Sequence, residues 1–271
     1  MIKGGMEKNG IAFCKVSACG NDFLIMDGEL APAAIEEFTR RICDRHNGVG
    51  ADGIEWVYGA EKDSELRIRL INADGSRAEI SGNGTRCVAA WYIDQHGGEL
   101  VSIATDAGVK RCELTARNGS EFSFRTAMGQ PEVGTPFAVP AQGKLVEGVP
   151  VSIGNPHFVT FVDRFPGDWQ RMAREIQSQS EHFPQGVNVE FVQMHVGDAI
   201  AIRIFERGAG ETMSSGTGSS ASAAAAIAEK HMPRRLHVHA PGGSQLVEWS
   251  SGDELFLSGP ARLICQGEFL L

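Results

Sequence analysis

The sequence predicts an α+β protein made of two similar halves that face each other, a duplicated unit in which strands and helices alternate. Three observations predict it. The 271 residues are close to twice a unit of about 135. Strand-like and helix-like periodicities alternate along the chain, and short motifs recur at a constant spacing. Gly20-Asn21 returns as Gly154-Asn155, Ile68-Arg69 as Ile202-Arg203, and Ser81-Gly82-x-Gly84 as Ser215-Gly216-x-Gly218, each 134 positions later. Ala89-Ala90 and Ile93 return in the same register as Ala223-Ala224 and Ile227. Chance agreement between glycine turns is the weaker reading.

In order, residues 11–16 and 23–27 read as short strands around a turn at 17–21. Residues 32–46 set Ile35, Phe38 and Ile42 on one helical face, with Glu36 and Glu37 early and Arg40, Arg41 and Arg45 late, as a helix dipole favours. Residues 65–72 alternate as a strand, and 86–96 form a helix rich in alanine and aromatics. Residues 100–105, 109–116 and 121–126 then make a meander of hairpins, with Asn118-Gly119 as a turn. The order recurs: strands at 149–153 and 158–162 around a turn at 154–157, a helix at 169–180, and strands at 187–194 and 199–206. An alanine-rich helix at 219–230 and strands at 235–240, 245–250 and 254–260 complete it.

Composition excludes several classes. The net charge of −9 argues against a general binder of nucleic acid or anionic membrane. No stretch approaches the ~18 apolar residues of a membrane span. Met1 to Gly10 is polar without an apolar core, and Met6 is a second plausible start, so no secretory signal is expected and the cytosol is the default compartment. Six cysteines without a Cys-x-x-Cys pair point to free thiols rather than disulfides or zinc. His237 and His239 alternate on one strand face, which suits an exposed edge better than a metal site. Glycine, at 33 residues, is in excess.

Part of that excess lies in the two Ser-Gly-x-Gly turns, each directly before a helix. Such a turn leaves backbone N–H groups free and aims partial positive charge at its occupant, while glycine allows close approach. The site suits an anion. No Gly-Lys-Ser/Thr ending makes it a P-loop, and no Gly-x-Gly-x-x-Gly follows a strand as in a dinucleotide fold. Serine is also a preferred N-cap, contributing about 1 kcal/mol. Asn21, Asn72, Asn83, Asn155 and Asn188 fall on turns or strand ends, where asparagine also serves backbone geometry. Glu206-Arg207 precedes a glycine turn, where a surface ion pair is the plain reading.

Further motifs accompany these: Phe13-Cys14-Lys15, Gly20-Asn21-Asp22-Phe23, Arg45-His46-x-Gly48-Val49-Gly50-Ala51-Asp52, Asn72-Ala73-Asp74-Gly75-Ser76 and Ser81-Gly82-Asn83-Gly84. Gly154-Asn155-Pro156-His157, Val187-Asn188-Val189, and Glu206-Arg207-Gly208-Ala209-Gly210-Glu211-Thr212 with Ser215-Gly216-Thr217-Gly218 follow. In this order, from about residue 11 to the C-terminus, they closely resemble the diaminopimelate epimerases. The resemblance implies two pseudo-symmetric half-domains, each a mixed, mostly antiparallel sheet around a central helix, with the active site in the cleft between them. The halves are expected at 1–130 and 131–261, with about 262–271 packing back onto the first.

It further implies interconversion of LL- and meso-diaminopimelate in lysine and cell-wall biosynthesis, without pyridoxal phosphate, other cofactor or metal, in a cytoplasmic enzyme for which a homodimer is plausible. One thiolate takes the α-proton and a thiol on the opposite face returns one, while helix N-termini hold the α-carboxylate. Substrate contacts carried over by motif are Asn21, Asn72, Gly82, Asn83, Asn155, Asn188, Glu206, Arg207, Gly216 and Thr217, with His157 in possible support.

The departure lies at the two proton-transfer positions. Ser81 and Ser215 stand where the family has cysteine, and Cys87, within the following helix, reads as a core thiol. A thiol titrates near 8.5, but an aliphatic hydroxyl is a far weaker acid than tyrosine, near 10. A helix terminus offers up to about 2 kcal/mol, which moves a pKa by roughly 1.5 and makes no alkoxide at pH 7. Epimerisation is therefore expected to be strongly impaired with binding retained. The alternatives are serines introduced to trap substrate, an epimerase of another amino acid whose hydroxyl is activated by His157 or Glu206, and a non-catalytic amino-acid-binding homologue.

Overall fold

The helices that follow the two Ser-Gly-x-Gly turns, Gly82–His96 and Gly216–Lys230, are buried around most of their circumference. A helix without a polar face must run through a core, and that requirement decides the architecture. The computed structural model describes residues 10–271; apart from Gly10, the polar N-terminal stretch lies outside the described residues.

The first half runs β1 (Gly10–Ala18), β2 (Asn21–Asp27), α1 (Ile35–Cys43), β3 (Gly53–Tyr58), β4 (Leu66–Asn72), β5 (Arg77–Ala78), α2 (Gly82–His96), β6 (Leu100–Thr105), β7 (Gly108–Asn118) and β8 (Glu121–Gly129). After β9 (Glu132–Val133) and β10 (Phe137–Ala141), the series returns. It runs β11 (Lys144–Ser152), β12 (Pro156–Phe161), α3 (Trp169–Gln177), β13 (Asn188–Met194), β14 (Ala199–Glu206), β15 (Gly210–Thr212), α4 (Gly216–Lys230), β16 (Arg235–Ala240), β17 (Gly243–Trp249) and β18 (Leu255–Leu270). The pairs β1/β11, α1/α3 and α2/α4 begin and end at the 134-residue spacing of the motifs.

Each half wraps a mixed, mostly antiparallel sheet around its central helix. The parallel pairs are β2–β3 and β4–β6, then β12–β13 and β14–β16, each bridged by a helix; the neighbours between them are antiparallel. Around α2 pack Val16, Phe23, Ile25, Ile68, Ile103 and Phe124, and around α4 pack Val159, Val192, Ile202, Val238 and Leu257. The outer helices carry one apolar stripe each, Phe38 and Ile42 on α1, Met172 and Ile176 on α3.

Strand β18 serves both halves. Leu255 to Ser258 pair with β17, Leu255 to Arg262 with β8, and Arg262 to Leu270 with β1. In the opposite direction, the chain leaving β8 sends Val133 of β9 to pair with Val151 of β11.

Several elements differ from their expected limits, for physical reasons. Helix α1 stops at Cys43 because the Asp44 carboxylate accepts the backbone N–H groups of His46 and Asn47 in a competing turn. Helices α2 and α4 begin at Gly82 and Gly216 rather than at 86 and 219. Their glycines, read as turn, form the first helical turn beneath a serine cap. Strand β18 runs ten residues past 260 because β1 pairs with it. Strands β3 and β10 carry too little alternation to be read from sequence; β3 is buried along Gly53–Trp56.

Candidate active site

The two central helices meet end to end. A Cβ placed on Gly82 would lie 3.2 Å from the Cα of Gly216, and one on Gly216 would lie 3.1 Å from the Cα of Gly82. A side chain at either position would crowd the opposite backbone. Ser81 Oγ accepts the Gly84 N–H at 3.0 Å and Ser215 Oγ accepts the Gly218 N–H at 3.2 Å. Two dipoles therefore present positive ends to one region, suited to a small anion such as a carboxylate.

Side chains from both halves close around that junction. Asn83 Nδ2 donates to Asn21 Oδ1 at 2.6 Å and to Ser214 Oγ at 2.7 Å. Its Oδ1 accepts from the fully buried Arg86 and, at 3.2 Å, from Gln245 Nε2. Ser214 Oγ donates to the Cys19 carbonyl at 2.6 Å, tying the second half to the turn before Asn21. Asn21 in turn donates to Asp52 Oδ2 at 3.0 Å, and Arg45 holds Asp52 and Asp22 at 2.7 Å each. The Arg45 to Asp52 motif thus orients Asn21.

In the second half, Asn155 Nδ2 reaches Thr217 Oγ1 at 3.4 Å, and its Oδ1 lies 2.9 Å from His157 Nε2. His157 Nδ1 lies 2.7 Å from Glu190 Oε1, with both side chains fully buried. The imidazole is held on both ring nitrogens, by Asn155 and Glu190, and neither is bonded to a serine. Burial raises the pKa of Glu190 and His157 opposes that rise. Asn188 Oδ1 accepts the Arg207 N–H at 2.9 Å and its Nδ2 donates to the Pro156 carbonyl at 3.0 Å.

Glu206, at the end of β14, faces the hydroxyls of Ser215 and Thr212; burial raises its pKa and those hydroxyls lower it. Its expected surface pairing with Arg207 is not formed, since the guanidinium turns to the Gln185 carbonyl. Asn72 bonds Ser76 Oγ within its own turn at 3.0 Å. Thus Asn21, Gly82, Asn83, Asn155, Gly216, Thr217, Glu206 and the two serines gather at the helix junction. Asn188 accepts the Arg207 backbone N–H, and Asn72 bonds within its own turn beside Gly53.

Five residues escaped the sequence reading: Arg86, Ser214, Gln245, Glu190 and Glu55. The two glutamates occupy third place in β3 and β13 but lie 135 residues apart, one off the spacing of the motifs, and only the strand register relates them, Glu55 beside Ile25 and Glu190 beside Val159. Cys87 is fully buried, its pKa pushed well above the usual value by burial. His237 and His239 stack on the exposed face of β16 with ring centroids 6.5 Å apart. Among the described residues no group of three or more His, Cys, Asp or Glu side chains is placed to hold a metal ion. No helix among them is long and apolar enough to cross a membrane.

A family model described as diaminopimelate epimerase matches residues 13–133 and 149–264. A protein named diaminopimelate epimerase from Moorella thermoacetica is 34% identical, over 96% of this chain and 99% of its own. Among solved structures, a probable proline racemase from Agrobacterium radiobacter shares the fold with a TM-score of 0.74 at 17% identity, covering 95% of this chain and 92% of its own. A hydroxyproline epimerase from Agrobacterium vitis, with bound trans-4-hydroxy-L-proline, also gives 0.74, at 16% identity, covering 98% and 94%.

Proposed function

The chain belongs to the diaminopimelate epimerase family, and on that premise we propose that it binds 2,6-diaminopimelate between the paired helix N-termini, with Ser81 and Ser215 flanking one α-carbon. The observation that carries this reading is the contact of Gly82 with Gly216, which brings both serine-capped turns together. Backbone N–H groups of Gly82, Asn83, Gly216 and Thr217 hold the α-carboxylate there. Asn21, Asn155 and Glu206 surround the reacting end, and Asn72, Asn188 and Arg207 take the distal amino-acid group.

Loss of the α-proton develops negative charge next to that carboxylate, where two helix dipoles stabilise it. The chain lacks a thiol acceptor: neither serine hydroxyl by itself ionises near neutrality, and His157 is committed to Glu190 and Asn155. Epimerisation of LL- to meso-diaminopimelate is therefore strongly slowed relative to a cysteine enzyme, with affinity retained. This favours a second reading, an amino-acid-binding homologue with little turnover. The cytoplasm and a homodimer are the compartment and assembly that accompany the first reading.

Deuterium incorporation at the α-carbon of LL-diaminopimelate in D2O, with calorimetric affinity measured in parallel, tests it. The Ser81→Cys/Ser215→Cys variant is expected to exchange about 10³-fold faster than the serine chain, with similar affinity. A double cysteine variant that binds the substrate and exchanges nothing rejects the epimerase reading.

A further inference from the structure

Glu55 is a fully buried carboxyl in β3, and neither of its oxygens has a hydrogen-bond partner among the described residues. Buried carboxyls without a partner are costly. The neighbouring strands set Ile25 of β2 and Leu70 of β4 beside it, so no cation offsets the charge from that side. On α2 the titratable side chain that feels Glu55 is Cys87, itself a buried neutral thiol. The adjacent Arg86 turns to Asn83 and the Pro260 carbonyl instead.

The carboxyl points at the first turn of α2. A Cβ on Gly84 would collide with Glu55 Oε1, and it would lie 3.1 Å from both Glu55 Cδ and Ser81 Cβ. Those two carbons are therefore at most twice that distance apart, and the missing side chain of Gly84 is the gap between them. The second half repeats the arrangement: a Cβ on Gly218 would lie 2.9 Å from Glu190 Oε1 and 3.4 Å from Ser215 Oγ. There, however, His157 occupies Glu190. At the matching place in the first half stands Phe23, and Glu55 is left uncommitted.

We propose that Glu55 is the proton-holding residue of the first half, accepting and returning the substrate α-proton through the Ser81 hydroxyl across the gap at Gly84. This rests on the reading that diaminopimelate binds at the helix junction. Glu55 and Ser81 share no hydrogen bond in the free chain, and the step requires the carboxylate to close onto the hydroxyl when substrate binds; as Ser81 Oγ then takes the α-proton, its own hydroxyl proton passes to the Glu55 carboxylate. The electron pair of the broken C–H bond stays on the α-carbon, delocalised into the carboxylate beneath the two helix ends. Ser81 never exists as a free alkoxide. The carbon is reprotonated from Ser81, with Glu55 returning a solvent-exchanged proton to the serine. Burial raises the Glu55 pKa to about 8, so this side works as a base with increasing effect as pH rises through that value.

The test is α-deuterium exchange of LL-diaminopimelate by the serine chain between pH 6 and 10, with affinity followed by calorimetry. The expected result is measurable exchange that rises through about pH 8. Glu55→Gln and Ser81→Ala should each lower it about 100-fold while affinity changes little, with Glu55→Asp recovering part of it. Placing Glu55→Gln in a Ser81→Cys background should cost less than about tenfold, because the thiol carries its own proton. Absence of exchange by the serine chain, unchanged exchange in Glu55→Gln, or an equal loss in the cysteine background overturns the proposal. If Glu55→Gln does not fold, the pH profile and the Ser81→Ala variant decide alone. Loss of diaminopimelate binding by the parent chain instead rejects the functional reading beneath it.

Discussion

At the scale of the residue, a buried carboxyl has a stability signature separate from chemistry. Glu55 is raised from 4.5 to about 8 by burial. Between those values the folded chain keeps a proton that the unfolded chain has released, so the native state binds more protons and stability falls as pH rises. The loss amounts to up to roughly 5 kcal/mol across the window. Glu55→Gln removes it. Chemical denaturation at pH 5 and pH 8 should show the parent chain losing stability and the glutamine variant nearly unchanged; parallel losses in both would place the titration elsewhere. Asn83 shows the opposite condition, with its amide bonded to Asn21, Ser214, Arg86 and Gln245 at once.

At the scale of the element, the junction depends on two glycines having no side chain. Gly82→Ala or Gly216→Ala puts a methyl group against backbone of the opposite helix, and at Gly216 also 3.1 Å from Leu257 Cδ2. Relief requires the helix ends to part, at a cost of about 1–3 kcal/mol. Diaminopimelate affinity should fall in both variants because the two sets of N–H groups no longer converge; calorimetry with either alanine variant checks this, and unaltered affinity refutes it. Much of this element was legible: the serine, the glycines and their spacing show in the sequence, as does the repeat. What stayed hidden was contact between distant segments. Glu55 and Glu190 lie in equivalent strands, but the pairing that separates them depends on Phe23 in one half and His157 in the other. That difference is two residues after each Gly-Asn turn and is silent until β2 and β12 are laid beside β3 and β13. The long β18 was hidden likewise, because its last residues have no apolar alternation and owe their conformation to β1.

At the scale of the whole molecule, the shared strand explains how two lobes of one repeat keep a site between them. Relative motion of the halves must bend β18 and the β8–β9 segment together, both held in ladders along their length. Hinge freedom is therefore small, and the distance between Ser81 and Ser215 is set by covalent continuity of paired strands as much as by glycine packing. Gly10 and Leu270 face each other in the same ladder, which makes the chain topologically almost a ring. Joining Leu271 to Gly10 through a short linker and cutting at the exposed bend between Val196 and Gly197 gives a circular permutant with every ladder intact. It should fold with the parent's diaminopimelate affinity, measured by calorimetry; a permutant that folds yet binds nothing would show that the order of segments, and not only their pairing, matters to the cleft. Linear order along the gene then becomes incidental to this architecture, and a break can be moved to any bend remote from the two helix ends.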